Sequence, residues 1–174
     1  MLSELISLFY DSPEDLGELE QTPREDVPEP YRRLLAHEHH MTVTVEDFHQ
    51  SLVDVQVVGK NVSDSHYARK ILLTRQADGA VVQFGIMRVN LYYLSPAVRD
   101  EIVKEETPLG RILINHNVLR SIRLFDVWKV EPGPDLQALF HLESPETTYG
   151  RTAVIDCNNV PAVELLEIVA PTEK

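Results

Sequence analysis

The sequence places an arginine, Arg69, within an apolar segment, where its charge could serve in binding or catalysis. In "HYARKILL", residues 66–73, the side chains of a β-strand would alternate between two faces. Arg69 then shares a face with Tyr67 and Ile71, where an unpaired charge is costly. A guanidinium binds a carboxylate through two parallel hydrogen bonds. Arg69 is therefore a candidate for binding the carboxylate of a small organic acid.

The same alternation places other charged side chains among apolar neighbours. Arg88 and Arg151 fall on apolar faces of their own segments, and Glu164 and Glu167 fall on opposite faces of the last one, "VPAVELLEIVA". Buried arginines and glutamates often form structural ion pairs. They can also surround a cavity that binds a small carboxylate. Both interpretations stay open at this point.

The segment "TPLGRIL", residues 107–113, has the composition of a helix start. Thr107 is the expected cap and Pro108 the expected first helical residue, which leaves the amides of Leu109 and Gly110 without helical partners. Such amides attract anions, and a glycine lets another group approach the backbone closely. A plain helix cap explains the same residues.

The sequence contains little that indicates a metal site, a cofactor site or a catalytic thiol. The histidines within "HEHH", residues 37–40, lack both the H-E-x-x-H spacing and a cysteine partner, so we expect surface histidines near a helix end. Cys157 shows no activating base. We therefore expect no metal site and no cofactor.

Charge and hydropathy limit the partners. The net charge is −12, which disfavours nucleic acid and anionic membranes, because phosphate neutralisation needs clustered Lys and Arg. No apolar run approaches the ~18 residues of a membrane span. The single cysteine is typical of a reducing compartment. We expect a cytoplasmic protein, a monomer or weak homodimer, that binds a small molecule.

The N-terminal part has a distinct composition. A short amphipathic helix is predicted over Leu2–Tyr10, followed by a segment from Asp11 to Glu29 that is rich in Asp, Glu and Pro and is expected to be a solvated connector. A further helix is predicted in "PEPYRRLLAHEHHM". We therefore divide the chain into an N-terminal helix and acidic arm, residues 1–30, and a single domain, residues 31–174.

Period-two segments dominate the rest of the chain. Strands are predicted from Leu52, with a hairpin at the Asp-Gly of "QADGA" and a turn at Asn158-Asn159. Helices are predicted in "SPAVRDEIVKEE", capped by Ser95, and in "TPLGRILINHN". The remaining strand-like segments are "LRSIRLFDVWKV", "DLQALFHLE", "TTYGRTAVIDC" and "VPAVELLEIVA". Consecutive strands joined by short turns predict an α+β fold with a mainly antiparallel sheet and flanking helices.

Five short segments, in this order, resemble the chorismate lyase (chorismate pyruvate-lyase) family and its uncharacterised relatives. They span about Leu34 to Pro171 and are "LLAHEHHMT", "YARKILL", "TPLGRIL", "YGRTAVI" and "LLEIVAP". The resemblance implies an antiparallel sheet with an internal ligand pocket. It also implies a lyase that splits chorismate into 4-hydroxybenzoate and pyruvate without a cofactor.

The resemblance also assigns roles to individual residues. Arg69 would bind the ring carboxylate and Glu167 would be the general acid, with Glu164 as the competing alignment. The substrate-binding residues would be Arg69, Leu109, Gly110, Met41 and Arg151. The alternative on the same fold is a non-catalytic binding protein for a small aromatic carboxylate, as in the effector-binding modules of transcription regulators.

Overall fold

The computed structural model describes residues 1–172, which form an α+β fold. The α-helices are α1 (Leu2–Ser7), α2 (Tyr31–Leu35), α3 (Met41–His49), α4 (Pro96–Lys104), α5 (Leu109–Asn115) and α6 (Pro134–Leu139). The strands are β1 (Gly17–Thr22), β2 (Val53–Val62), β3 (His66–Arg75), β4 (Val81–Asn90), β5 (Arg120–Pro132), β6 (Thr148–Cys157) and β7 (Val160–Val169). Short 3-10 turns lie at Pro13–Asp15, Arg24–Asp26 and Leu91–Tyr93.

All seven strands join one antiparallel sheet in the order β1-β5-β6-β7-β4-β3-β2. The predicted hairpins are confirmed: Gly79 has a φ of +73° between β3 and β4, and Asn158 and Asn159 have φ values of +53° and +65° between β6 and β7. Two consecutive left-handed residues suit the tight hairpin turn that matches the strand twist. The α+β prediction with a mainly antiparallel sheet is confirmed.

The sheet is buried on both faces. On one face, Phe84 and Ile86 of β4 pack with Leu166 of β7 beneath α1 and α6. On the other face, the apolar core divides into two clusters. One cluster lies under α4 and α5, and the other lies under α2 and α3. The candidate site occupies the space between these two clusters.

No helix within residues 1–172 is long and apolar enough to span a membrane.

Two local predictions are wrong. The segment "DLQALFHLE" was expected to be a strand but contains most of helix α6, in which Leu136 is buried, and Phe140, the C-cap four residues later, is buried too. That spacing places both side chains on one helix face, and Pro134 suits the first turn. The helix predicted in "PEPYRRLLAHEHHM" ends at Leu35, and a separate helix, α3, begins at Met41.

The acidic segment is not a loose connector throughout. Residues 17–22 form β1, which pairs with β5 at the edge of the sheet, while Glu18 and Glu20 point to solvent. Leu16 and Val27 are fully buried on either side of this strand. Because edge strands alternate between a packed and a solvated face, a sequence rich in glutamate can still pair. The division of the chain at residue 30 stays a prediction.

Candidate functional site

A cavity of about 50 Å³ lies between the sheet and the segments that lead into α3 and α5. This volume is sufficient for several water molecules. Its floor is made by the inward-facing residues of β3, β4, β6 and β7, and its cover by the starts of α3 and α5. The floor includes Arg69, Ile71, Gln83, Gly85, Arg151, Leu165 and Glu167, and the cover includes His40, Met41, Thr42, Pro108, Leu109 and Gly110.

The structure brings together the residues that the sequence singled out, with two exceptions, Arg88 and Glu164. All six predicted site residues line this cavity, namely Met41, Arg69, Leu109, Gly110, Arg151 and Glu167. Arg88 does not, because it pairs with Glu164 at 2.6 Å on the other face of the sheet. Of the two candidate acids, Glu167 is therefore the one that borders the cavity. The roles of these residues in binding or catalysis stay predictions.

Arg69 is buried without an ion-pair partner. Its side chain is 1% exposed, and its two Nη atoms reach only the carbonyl oxygens of Ile102 and Thr107, both at 3.4 Å. Its Nε has no hydrogen-bond partner. No ion pair among residues 1–172 includes Arg69. Burial lowers the pKa of this guanidinium, and the nearby Tyr67 and Glu105 act in the opposite direction.

Arg151 is equally buried but fully engaged. Its Nε donates to the Glu167 carboxylate at 2.8 Å, and its two Nη atoms donate to the carbonyl oxygens of His37 and His39 at 2.8 and 2.9 Å. The backbone of the "HEHH" segment thus closes over this arginine. Because charge-assisted hydrogen bonds satisfy the guanidinium on every side, Arg151 is a structural charge as well as a cavity wall.

The sheet register explains why the two arginines differ. Strand β7 lies between β6 and β4, so Glu167 lies directly opposite Arg151 and Glu164 lies directly opposite Arg88. Arg69 lies on β3, whose neighbours place Met87 and Lys60 opposite it. No carboxylate is therefore available to Arg69 across either adjacent strand.

His37 and His40 are half-buried and contact arginines, so the expectation of surface histidines is wrong for both. His37 Nδ1 lies 3.3 Å from Arg151 Nη1, and His40 Nε2 accepts a hydrogen bond from Arg120 Nε at 2.7 Å. Burial, followed by these positive charges, lowers the pKa of each imidazole to about 4. Both rings are neutral near pH 7. No group of three potential metal-ligating side chains occurs within residues 1–172.

These two histidines make stability depend on pH. Between the ordinary histidine pKa of 6.5 and the lowered value of about 4, the unfolded chain binds protons that the folded chain does not. The free energy of unfolding should therefore fall with falling pH in this window, by up to about 1.4 kcal/mol per pH unit for each histidine. Urea unfolding at several pH values should show a shallower slope for His40→Gln. The exposed His39→Gln serves as the control, and an equal slope in both variants would contradict the assignment.

The start of α5 differs from the predicted cap. The helix begins at Leu109, Pro108 is its N-cap, and the first intrahelical bond runs from Ile112 N–H to Pro108 O at 3.1 Å. Thr107 instead lies outside the helix and gives its carbonyl to Arg69. Gly110 allows close packing, since a Cβ there would lie 3.1 Å from Thr42 Oγ1. The Leu109 and Gly110 amides precede the first helical hydrogen bond.

Gln83 borders the cavity as well, although it is not among the residues predicted from the sequence. This residue of β4 is 2% exposed, lines the cavity, and its Oε1 has no hydrogen-bond partner. It alternates with Gly85 and Met87 in "VVQFGIM", so the argument that singled out Arg69 also applies to it. Because the amide of Gln83 is neutral, its position among apolar residues is less unusual than that of a buried charge.

Comparisons with known proteins identify the architecture. The chain is similar to the effector domain of PhnF from Mycobacterium smegmatis, with a TM-score of 0.56, 12% identity, and coverage of 76% of this chain and 88% of that one. A second structure of PhnF from Mycobacterium smegmatis matches with a TM-score of 0.54 and 11% identity, covering 97% and 92% of the two chains. The fold is chorismate lyase-like.

These similarities concern the fold alone, because the identities are low. No protein-family model matches the sequence, and no curated protein matches it. The resemblance to chorismate lyases is therefore supported at the level of architecture, and lyase activity is not. The two solved structures are described as PhnF and its effector domain, and at this identity they show the fold alone.

Proposed function

We propose that this chain is a binding protein for a small organic anion, and that an aromatic carboxylate occupies the cavity with its carboxylate on Arg69. The observation that carries the proposal is the buried guanidinium of Arg69, which has no counter-ion in the sheet. A buried charge without a partner is costly, and a bound carboxylate would remove that cost. The counter-ion of Arg69 is then the ligand.

The free edge of Arg69 suits a carboxylate. Nε has no partner and Nη2 has only a 3.4 Å contact to a carbonyl oxygen, and these two nitrogens form one edge of the guanidinium plane. A carboxylate approaching that edge would accept two parallel hydrogen bonds. Apolar neighbours, including Met41, Ile71 and Leu165, would contact a flat ring and exclude water. The description of the similar PhnF structure as an effector domain agrees with binding without turnover.

The second candidate function is chorismate lyase. Arg69, Leu109 and Glu167 border one cavity, which is the grouping that the resemblance implies. In that mechanism Arg69 would orient the ring carboxylate, the Leu109 amide would assist at an oxygen, and Glu167 would protonate the departing ether oxygen. The geometry favours binding over this role for Glu167, because Arg151 donates to its carboxylate.

Calorimetric titration with 4-hydroxybenzoate, together with chromatography after incubation with chorismate, tests both candidates. We expect saturable one-to-one binding and no pyruvate release. Binding should persist in Arg88→Met, a matched control whose arginine lies on the adjacent strand but on the other face. Pyruvate release that disappears in Glu167→Gln would support the lyase instead. Absence of binding by every aromatic carboxylate tested would overturn the proposal.

A further inference from the structure

We propose that a surface groove between α3, α5 and β5 is the entrance to the cavity, and that the hydrogen bond between His40 and Arg120 closes this entrance. The inference rests on the proposed function, because it concerns how an organic anion reaches Arg69. The residues around that anion are shielded from solvent: Arg69 is 1% exposed, Met41 2% and Leu109 8%. A ligand can therefore reach Arg69 only if part of the cavity wall moves.

The groove and the cavity share part of their walls. His40 and Ile122 border both spaces, and Arg120 borders the groove alone. Two other surface grooves, one beside the end of β7 and one on the other face of the sheet, share no residue with the cavity. The wall formed by His40 and Ile122 therefore separates the cavity from the solvent in the groove.

The contacts of this wall identify the His40 imidazole as its movable part. The backbone on either side of it is held, because the His39 carbonyl accepts from Arg151 at 2.9 Å and α3 begins at the next residue. The Arg120 side chain is held as well, because its Nη1 donates to the Val118 carbonyl at 3.0 Å. The bond from Arg120 Nε to His40 Nε2, at 2.7 Å, attaches the imidazole to this frame. We call this bond the gate.

A proton on His40 would break the gate. An imidazolium has no acceptor nitrogen, so it would repel Arg120 instead of accepting its hydrogen bond. Burial, followed by Arg120, lowers the pKa of His40 to about 4 in the closed arrangement. The other charged or titratable groups of the elements around the ring are Glu38 and His39 of the cover, Arg151 and Cys157 of β6, and Arg111 of α5 with its ion-pair partner Glu46 of α3.

Falling pH should therefore open the entrance. When the gate is open, the imidazole is solvated and its pKa returns toward the ordinary value of 6.5, whereas the closed value is about 4. Between these two values a proton stabilises the open arrangement. The open population at about pH 5.5 should exceed that at about pH 7.5 by roughly tenfold.

NMR line shapes of 4-hydroxybenzoate titrated with the full chain, which give its association and dissociation rates, test the gate. The ligand carboxylate is ionised at about pH 5.5 and at about pH 7.5. For the unaltered chain we expect both rates to be roughly tenfold higher at the lower pH, with a Kd that changes less than about threefold.

Three variants separate the gate from other effects of pH. His40→Ala removes the closing side chain, so its rates should be high at both pH values. His40→Gln keeps an amide oxygen that can accept from Arg120 and does not titrate, so its rates should be low at both. His39→Gln replaces the exposed neighbour and should behave as the unaltered chain does.

The outcomes distinguish the gate from the proposed function. Rates of the unaltered chain that do not depend on pH, or an equal pH dependence in His40→Gln, would overturn the gate and leave the carboxylate site in place. If 4-hydroxybenzoate does not bind, the proposed function fails, and oxidation of Met41 by hydrogen peroxide tests the gate without a ligand. Met41 lies in the cavity wall, so it should oxidise faster relative to Met1 at the lower pH. Equal ratios at both pH values would overturn the gate.

Discussion

Replacing Arg69 with methionine is expected to weaken ligand binding strongly without lowering the free energy of unfolding. The guanidinium is buried, has two long contacts to carbonyl oxygens, and forms no ion pair with the part of the chain that the structure describes. Methionine fills similar space without a charge to desolvate. Replacing a buried charge that has no ion pair by an apolar side chain removes a cost of desolvation. Loss of one partner of a buried charge pair weakens binding by about 2 kcal/mol or more, which is about 30-fold.

Two measurements check this prediction on the same protein samples. Urea unfolding without ligand gives the free energy of unfolding, and calorimetric titration with 4-hydroxybenzoate gives the affinity. Arg88→Met is the control for the second measurement, because Arg88 pairs with Glu164 away from the cavity. Destabilisation of Arg69→Met by more than about 1 kcal/mol would show that this arginine stabilises the fold. Unchanged affinity would show that it does not bind the carboxylate.

Replacing Arg151 with methionine is expected to have the opposite effect on stability. The substitution leaves Glu167 buried without its partner and leaves the carbonyl oxygens of His37 and His39 without donors. Breaking a buried ion pair by removing one member costs about 3 to 5 kcal/mol. We therefore expect a lower free energy of unfolding by about this amount. The cover of the cavity should also loosen, since the "HEHH" segment loses its attachment to β6.

A double variant distinguishes the ion pair from general packing loss. In Arg151→Met combined with Glu167→Gln, the stranded charge is removed, so part of the lost stability should return. Urea unfolding of the two single variants and the double variant gives the coupling energy, which we expect to exceed about 1 kcal/mol. Purely additive effects would contradict a direct ion pair. Proteolysis within residues 36–40 provides a second readout of the loosened cover.

These expectations assign different physical roles to two arginines that look alike in the sequence. Arg151 forms an ion pair with Glu167 and donates to a backbone carbonyl oxygen. Its charge is therefore satisfied within the folded chain. Arg69 forms no ion pair within residues 1–172, so we expect its charge to be available to a ligand. Opposite changes in stability for the same substitution, arginine to methionine, would demonstrate this difference.

Features that depend on a few neighbouring residues are predicted correctly from the sequence. The cap of α4 is confirmed, because Ser95 accepts from Val98 N at 3.4 Å and Pro96 occupies the first helical position. Hairpin turns depend on residues that tolerate positive φ, and these can be recognised from a few letters. Alternation along a strand placed Arg69 on the same face as Tyr67 and Ile71, which the structure confirms through their shared side of the sheet.

Features that depend on contacts between distant segments are not predicted correctly from the sequence. The acidic residues 17–22 become a strand because the edge of β5, more than a hundred residues later in the chain, offers them hydrogen bonds. Helix α6 forms because Leu136 and, at its C-cap, Phe140 can both join the core on the sheet. Neither partner is visible from the local composition. The half-buried state of His37 has the same origin, since Arg151 holds this segment.

The sequence by itself determined which charges lie within apolar strands, because the face of a strand residue follows from its position alone. Only the tertiary structure decided which of those charges are paired. The strand order places β7 between β6 and β4, and this gives Arg151 and Arg88 a glutamate each. Arg69 lies one strand further away and receives none. Pairing across a sheet depends on strand order and register, which the spacing of residues along the chain does not encode.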